Sequence, residues 1–132
     1  MTEEEFLLNL PSTPSRNYPS VDGVPTNALA QTHGHDVAVM LACAKAEADN
    51  YWAQPPGSRS SAAPGCFERA AILLRKQKRY AEEVRICEEW VEISDSIAKE
   101  YPDFAHIPWP CSDAIHRRLA KARILLSKSL ST

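Results

Sequence analysis

The sequence predicts an all-α protein: an antiparallel array of about four helices that follows a proline-rich, irregular N-terminus. Apolar residues recur at three- and four-residue spacings in several separate segments, which is typical of helix faces. The chain has only 4 glycines, and its 10 prolines fall mostly between those segments. Because all-β folds need many glycine-rich turns and proline interrupts helices, this composition favours helices joined by proline-containing connections.

Residues 1–26 are predicted to be a short helix followed by an extended proline-rich segment. Thr2 and Glu5 have the spacing of a capping box. The apolar side of this helix consists of Phe6, Leu7 and Leu10. So short a helix is not stable alone, so it either docks on the domain or serves as a linear motif for a partner. The prolines after it are typical of a mobile linker.

Residues 27–132 are predicted to be a single helical domain whose first helix covers residues 36–52. One face of this helix carries Val37, Met40, Leu41, Ala44, Ala48, Tyr51 and Trp52. Thr26 or Asn27 could cap an earlier start, but Gly34 weakens that extension. Residues 53–64 follow as a long loop, which is either disordered or a functional flap.

The central prediction is a helical hairpin over residues 65–101, with a basic turn, RKQKR, between its arms. One face of the first arm carries Phe67, Ala70, Ala71 and Leu74. The second arm, residues 81–100, has two adjacent apolar stripes: Val84, Cys87, Val91 and Ala98 in one, and Ile86, Trp90, Ile93 and Ile97 in the other. Because a helix with one neighbour needs only one stripe, this helix is predicted to pack between the first arm and a later helix.

That later helix is predicted after a stiff Pro108-Trp109-Pro110 turn, with Ser112 as its cap. Its apolar face consists of Ile115, Leu119, Ala122 and Leu126.

Residues 65–101 resemble a tetratricopeptide-type helical hairpin. Phe67, Ala70, Ala71 and Leu74 match the first-helix positions of that repeat, and Tyr80 matches the tyrosine that opens its second helix. Glu83, Cys87, Trp90 and Asp95 depart from the repeat pattern. The resemblance covers about a quarter of the chain and implies a scaffold for protein–protein contact, with no activity of its own.

Composition and termini exclude several classes of function. The formal charge of −2 predicts no general affinity for nucleic acid or membranes. The N-terminus opens with Glu3, Glu4 and Glu5, unlike a signal peptide, and no apolar run approaches the ~18 residues of a membrane span. We therefore expect a cytoplasmic protein, from a bacterium or a phage.

The polar residues give weak candidates for chemistry. His33, His35 and Asp36 could contribute to a metal site, although three or four ligands are needed and a polar helix entry explains them equally. The four cysteines form no C-x-x-C pair, so buried free thiols are expected, with disulfides, metal binding or a nucleophilic Cys66 as alternatives. Common catalytic motifs are missing, so the sequence predicts no enzyme and no cofactor.

Charge is unevenly distributed between the last two helices. Residues 81–100 carry seven acidic and two basic side chains, whereas residues 111–132 carry five basic and one acidic. The two faces either attract each other within one chain, or recognise a charged partner or a second copy in a homodimer.

The leading hypothesis is a non-enzymatic protein–protein interaction module, an adaptor or an inhibitor, whose partner is another protein or a second copy. Its candidate contact residues are Trp90, Tyr101, Trp109, Arg75, Lys76, Lys78, Arg79, Arg117 and Lys121. The alternative is a nucleic-acid-associated accessory domain that uses the basic members of this set. A small metal-binding or cysteine-dependent protein is the third hypothesis.

Overall fold

The computed structural model describes residues 19–104 and 110–131. Within them the chain is mostly helical, as predicted, and the only sheet is a small hairpin. The helices are α1 (Thr26–Thr32), α2 (Val37–Ala53), α3 (Gly65–Lys76), α4 (Tyr80–Glu100) and α5 (Pro110–Leu130), with a 3-10 turn at Pro102–Phe104. The predicted helix in residues 1–10 lies outside the described residues.

The end of the proline-rich segment forms a β-hairpin, where the sequence predicts only an extended linker. Strands β1 (Ser20–Val21) and β2 (Val24–Pro25) are antiparallel. Between them Asp22 and Gly23 both have positive φ, 51° and 81°. An Asp-Gly pair suits the two left-handed positions of a type I′ turn, which matches the twist of paired strands. The hairpin leads directly into α1.

Two separate helices, α1 and α2, stand where the sequence predicts one helix with two alternative starts. The start near residue 36 is confirmed, whereas neither Thr26 nor Asn27 caps α1, because its N-cap is Pro25. Asp36 caps α2, because its Oδ1 accepts a hydrogen bond from the Val39 amide at 3.2 Å. A Cβ at Gly34 would lie 2.8 Å from the carbonyl oxygen of Ala30, so a side chain there would collide with α1. The Arg69 guanidinium on α3 donates hydrogen bonds to the Gly34 carbonyl oxygen, and these bonds link the segment between α1 and α2 to α3.

Helix α3 lies at the centre of the domain and contacts α2, α4 and α5. Helix α4 packs against α3 and α5, as its two apolar stripes predict, and also touches α2. The Trp90 ring on α4 lies 5.3 Å from that of Phe67 on α3. The largest fully buried side chains are Tyr51, Phe67, Met40, Leu74, Ile93 and Ile115. None of the described helices is long and apolar enough to cross a membrane.

A buried ion cluster joins α3, α4 and α5. Glu83 is 0% exposed, and its carboxylate accepts from Arg75 on α3 at 3.1 Å and from Arg118 on α5 at 3.1 Å. Arg75 also donates to the main-chain carbonyl of Arg118 at 3.0 Å. Because two guanidinium groups surround one carboxylate, the buried charge is paired rather than isolated.

The long loop after α2 is held against the domain by Arg59. Its guanidinium donates to the Gln54 carbonyl and to Glu100 Oε1, and lies over the rings of Tyr51 and Trp52. These contacts make the loop part of the folded surface at the C-terminal end of α2.

Candidate functional site

An open groove of about 460 Å³ runs between α2 and α4, and we call it the α2–α4 groove. Its walls are Leu41, Lys45, Ala48, Asp49 and Trp52 from α2, and Glu82, Arg85, Ile86, Glu89 and Glu92 from α4. These positions recur at spacings of one, three and four residues, so each wall is one continuous helix face. The small side chain of Ala48 leaves space between Leu41 and Trp52.

Trp52 is the main exposed apolar group of the groove. Its side chain is 40% exposed, although it stands beside the fully buried Tyr51. The two rings meet edge to face at 5.0 Å, and Arg59 lies 5.1 Å from the Trp52 ring centroid. The Trp52 indole is therefore held between the Tyr51 ring and the Arg59 guanidinium.

The rim of the groove carries unpaired negative charge. Lys45 pairs with Asp49 at 2.7 Å, and Arg79 pairs with Glu82. Glu89 and Glu92 form no ion pair with any of the described residues. These two carboxylates therefore remain available to an incoming cation.

The pKa of Glu89 is raised mainly by burial, and the neighbouring charges act on it in both directions. Partial burial raises the pKa of its carboxyl, and the neighbouring charges of Glu92 and Asp49 raise it further, while those of Arg85 and Lys45 lower it. A cation that docks beside Glu89 would offset this cost of ionisation.

The lining of the groove combines apolar and charged side chains, and contains no histidine, cysteine or serine. An apolar floor flanked by carboxylates can bury an apolar side chain while it pairs with cations beside it.

Two of the three aromatic residues predicted to form a contact surface are buried or partly buried. Trp90 is only 3% exposed, so its ring lies in the core and not on a contact surface, where the sequence predicts it. Tyr101 is partly buried, and its hydroxyl donates to the Arg59 carbonyl at 2.9 Å. Trp109 lies outside the described residues.

Two of the predicted basic contact residues are engaged within the chain. Arg75 belongs to the Glu83 cluster, and Arg79 pairs with Glu82. The remaining four are Lys76, Lys78, Arg117 and Lys121, all of them exposed. The basic patch is thus smaller than the sequence predicts.

The residues considered for a metal site, His33, His35 and Asp36, lie at the polar entry to α2. Asp36 caps α2, and His33 Nδ1 lies 2.7 Å from the Thr32 hydroxyl. Among the described residues, no group of three or more potential ligands could hold a metal ion.

The four cysteines are free, and Cys43, Cys66 and Cys87 are buried. Burial raises the pKa of Cys66 and that of Cys87 to about 12. Burial is also the main cause that raises the pKa of Cys43 and of the partly exposed Cys111. Raised pKa values disfavour the thiolate, so a nucleophilic role for Cys66 has no support in its surroundings.

The sequence signal for the groove is the Tyr51-Trp52 pair. Adjacent residues of a helix point about 100° apart, so two large aromatic rings in a row cannot both face the centre of the core. One of them must lie at the edge of the buried face, and it is Trp52.

Comparison with protein-family models, curated proteins and solved structures finds no match to this chain. The fold and the groove therefore define only a class: a small helical domain with an open groove that is apolar at its floor and acidic at its rim.

Proposed function

We propose that the protein is a non-enzymatic protein–protein interaction module, and that the α2–α4 groove takes a cationic amphipathic helix from its partner. The observation that carries this proposal is the exposed indole of Trp52 beside the unpaired carboxylates of Glu89 and Glu92.

The shape of the groove favours a helix as the docked element. Its α4 wall runs from Glu82 to Glu92, about 15 Å at the usual rise per residue. Its α2 wall runs from Leu41 to Trp52, about 16 Å. A trough between two helices, of this length, suits about three turns of a third helix, which is a recurrent mode of peptide recognition.

The chemistry of the rim favours cations on that helix. A partner side chain that is apolar can bury itself against Trp52 and Ile86, while lysines or arginines one turn away reach Glu89 and Glu92. The hydrophobic contact supplies most of the affinity, and the charges select the partner and orient it. The resemblance of residues 65–101 to a protein-contact scaffold supports the same class of function.

The proposal is tested with a designed, fluorescently labelled helical peptide that carries lysines one turn on either side of an isoleucine. The matched control peptide has glutamates in place of the lysines. We expect only the lysine peptide to raise the fluorescence anisotropy on titration with the protein. Trp52→Ala and Glu89→Lys should each weaken binding roughly tenfold, because each removes one of the two contacts.

The control variant is Asp95→Lys, which makes the same charge change at an exposed position of α4 outside the groove. Its affinity for the lysine peptide should stay close to that of the unsubstituted protein. Equal binding of both peptides, or groove variants that bind as well as Asp95→Lys, would remove the proposal.

Nucleic-acid association is the second candidate, and one observation favours it. The Arg75 guanidinium donates a hydrogen bond to the Arg118 carbonyl oxygen on α5. This contact brings the basic turn that carries Lys76 and Lys78 beside α5, which carries Arg117 and Lys121. Polyanion binding of this kind is strongly salt-dependent. A gel shift with duplex and single-stranded probes at about 50 mM salt tests it, and no shift would eliminate it.

A further inference from the structure

The chain carries a helix face of the kind that its own groove is proposed to bind. On α5, Arg117, Lys121, Ile124 and Lys128 recur at spacings of four, three and four residues, and all are exposed. They therefore form one stripe, which we call the α5 stripe. Ile124 is 50% exposed between Lys121 and Lys128.

The α5 stripe points away from the domain. The buried residues of α5 are Ser112, Ile115, Leu119 and Ala122. At about 100° per residue, the stripe lies on the opposite side of the helix from these. Because α5 packs on α4 through its buried side, the stripe cannot reach the α2–α4 groove of the same copy.

The two surfaces match in length, charge and apolar character. The stripe from Arg117 to Lys128 extends about 16 Å, close to the length of the groove walls. It carries three cations and no acid, whereas the groove rim has four acidic and two basic side chains.

Each of the two surfaces carries one of the large exposed apolar side chains. Among the described residues, the large exposed apolar side chains are Val24, Trp52, Ile124 and Leu130. Trp52 lies in the groove, Ile124 lies in the stripe, and Leu130 lies near the C-terminal end of α5. Exposed apolar groups beside complementary charges are typical of contact surfaces.

We infer that the α2–α4 groove of one copy binds the α5 stripe of a second copy, with Ile124 against the apolar floor and Lys121 beside Glu89. This inference rests on the proposed function and names its partner. Because the groove and the stripe are different surfaces, each copy offers one of each. Two copies can then bind reciprocally, or more copies can join in a row.

The test is the mass in solution, measured by sedimentation equilibrium over a wide range of protein concentration. We expect the 132-residue protein to exceed the monomer mass of 14.7 kDa as concentration rises. Glu89→Lys and Lys121→Glu should each return the mass to that of the monomer, because each removes the attraction between groove and stripe. Both positions are exposed, and circular dichroism checks that the helices are retained.

A mixture of the two variants gives the sharpest result. The Lys121→Glu copy keeps a native groove, and the Glu89→Lys copy keeps a native stripe. The mixture should therefore form a complex that neither variant forms alone. Asp95→Lys should associate as the unsubstituted protein does.

A mass of 14.7 kDa at every concentration would overturn the inference, as would a mixture no heavier than its separate components. The designed lysine peptide separates the two claims. If the protein stays monomeric but binds that peptide through Trp52 and Glu89, the groove has another partner and only self-association fails. If the peptide does not bind either, the proposed function fails as well.

Discussion

The indole Nε1–H of Trp90 donates a hydrogen bond to the hydroxyl oxygen of Ser112 at 2.8 Å, and both residues are buried. This bond joins α4 to the first turns of α5. The ring of the same tryptophan packs on Phe67 of α3. One side chain thus connects three helices.

Replacement of Trp90 should therefore be costly. Trp90→Ala should lower the free energy of unfolding by about 3–5 kcal/mol, because it leaves a large cavity between three helices. Trp90→Phe should cost less, since it keeps most of the apolar surface and loses the bond to Ser112. Urea unfolding measures both. A Trp90→Ala protein as stable as the unsubstituted one would mean that the ring is not in the core.

The Glu83 cluster should behave as a coupled unit. Glu83→Ala should destabilise the fold by about 3–5 kcal/mol, because it leaves the partly buried Arg75 and Arg118 without their counter-charge. Its neighbour Glu82 provides the control, since it also pairs with an arginine but lies at the surface. Glu82→Ala should have little effect on urea unfolding, as exposed ion pairs usually do. Similar losses in both variants would contradict the burial of Glu83.

Glu89 should make stability depend on pH in an unusual direction for a carboxylate. Its pKa is raised in the folded state, so the folded state prefers the protonated form. Ionisation therefore costs stability above the folded pKa, and this cost disappears as pH falls below the unfolded pKa, about 4.3. Glu89→Gln should melt slightly higher than the unsubstituted protein at neutral pH.

The difference in melting temperature between Glu89→Gln and the unsubstituted protein should vanish in acid. The matched variant Glu82→Gln should instead melt lower than the unsubstituted protein at neutral pH. Arg79 lowers the pKa of Glu82, so its ionised form stabilises the fold above the unfolded pKa, and that contribution is lost as pH falls through the folded pKa. Thermal melting across pH measures both differences. A Glu89→Gln protein that melts lower at neutral pH would contradict the raised pKa.

The cysteines should differ in reactivity. Cys43, Cys66 and Cys87 are buried, and burial raises the pKa of each thiol, so they should not react with Ellman's reagent in the folded protein. The more accessible Cys111 should react, slowly because its own pKa is raised as well. In Cys111→Ser this reaction of the folded protein should disappear, and the other thiols should react only after denaturant is added. Rapid reaction of a second thiol would show that the core opens.

Periodicity was sufficient to predict α2, α3 and α4, the apolar face of α5 and the burial of α4 on two sides. It did not predict α1 as a separate helix, and α5 begins at Pro110, before Ser112, the predicted cap. Val84, Cys87, Ile86 and Trp90 fall on two adjacent stripes, and no tertiary information is needed to see them. The β-hairpin had a local signal too, because an Asp-Gly pair flanked by valines is typical of a type I′ turn. The surrounding prolines obscured that signal.

Long-range pairings could not be predicted in the same way. Glu83 is an acid on an apolar side of α4, and its burial depends on Arg118, which lies 35 residues further along the chain. The groove depends on how α2 and α4 approach each other across α3. No spacing within either helix encodes that distance, so Trp52, Glu89 and Glu92 could not be assigned to one site from the sequence.

The most direct test of the central claim is a heteronuclear NMR titration of the protein with the designed lysine peptide. We expect the indole N–H signal of Trp52 and the amide signals of Glu89 and Glu92 to shift with one common affinity, while the buried indole of Trp90 stays unchanged. If the peptide binds but the shifts fall instead around Lys76 and Lys121, or if no signal from the groove moves, the α2–α4 groove is not the docking site.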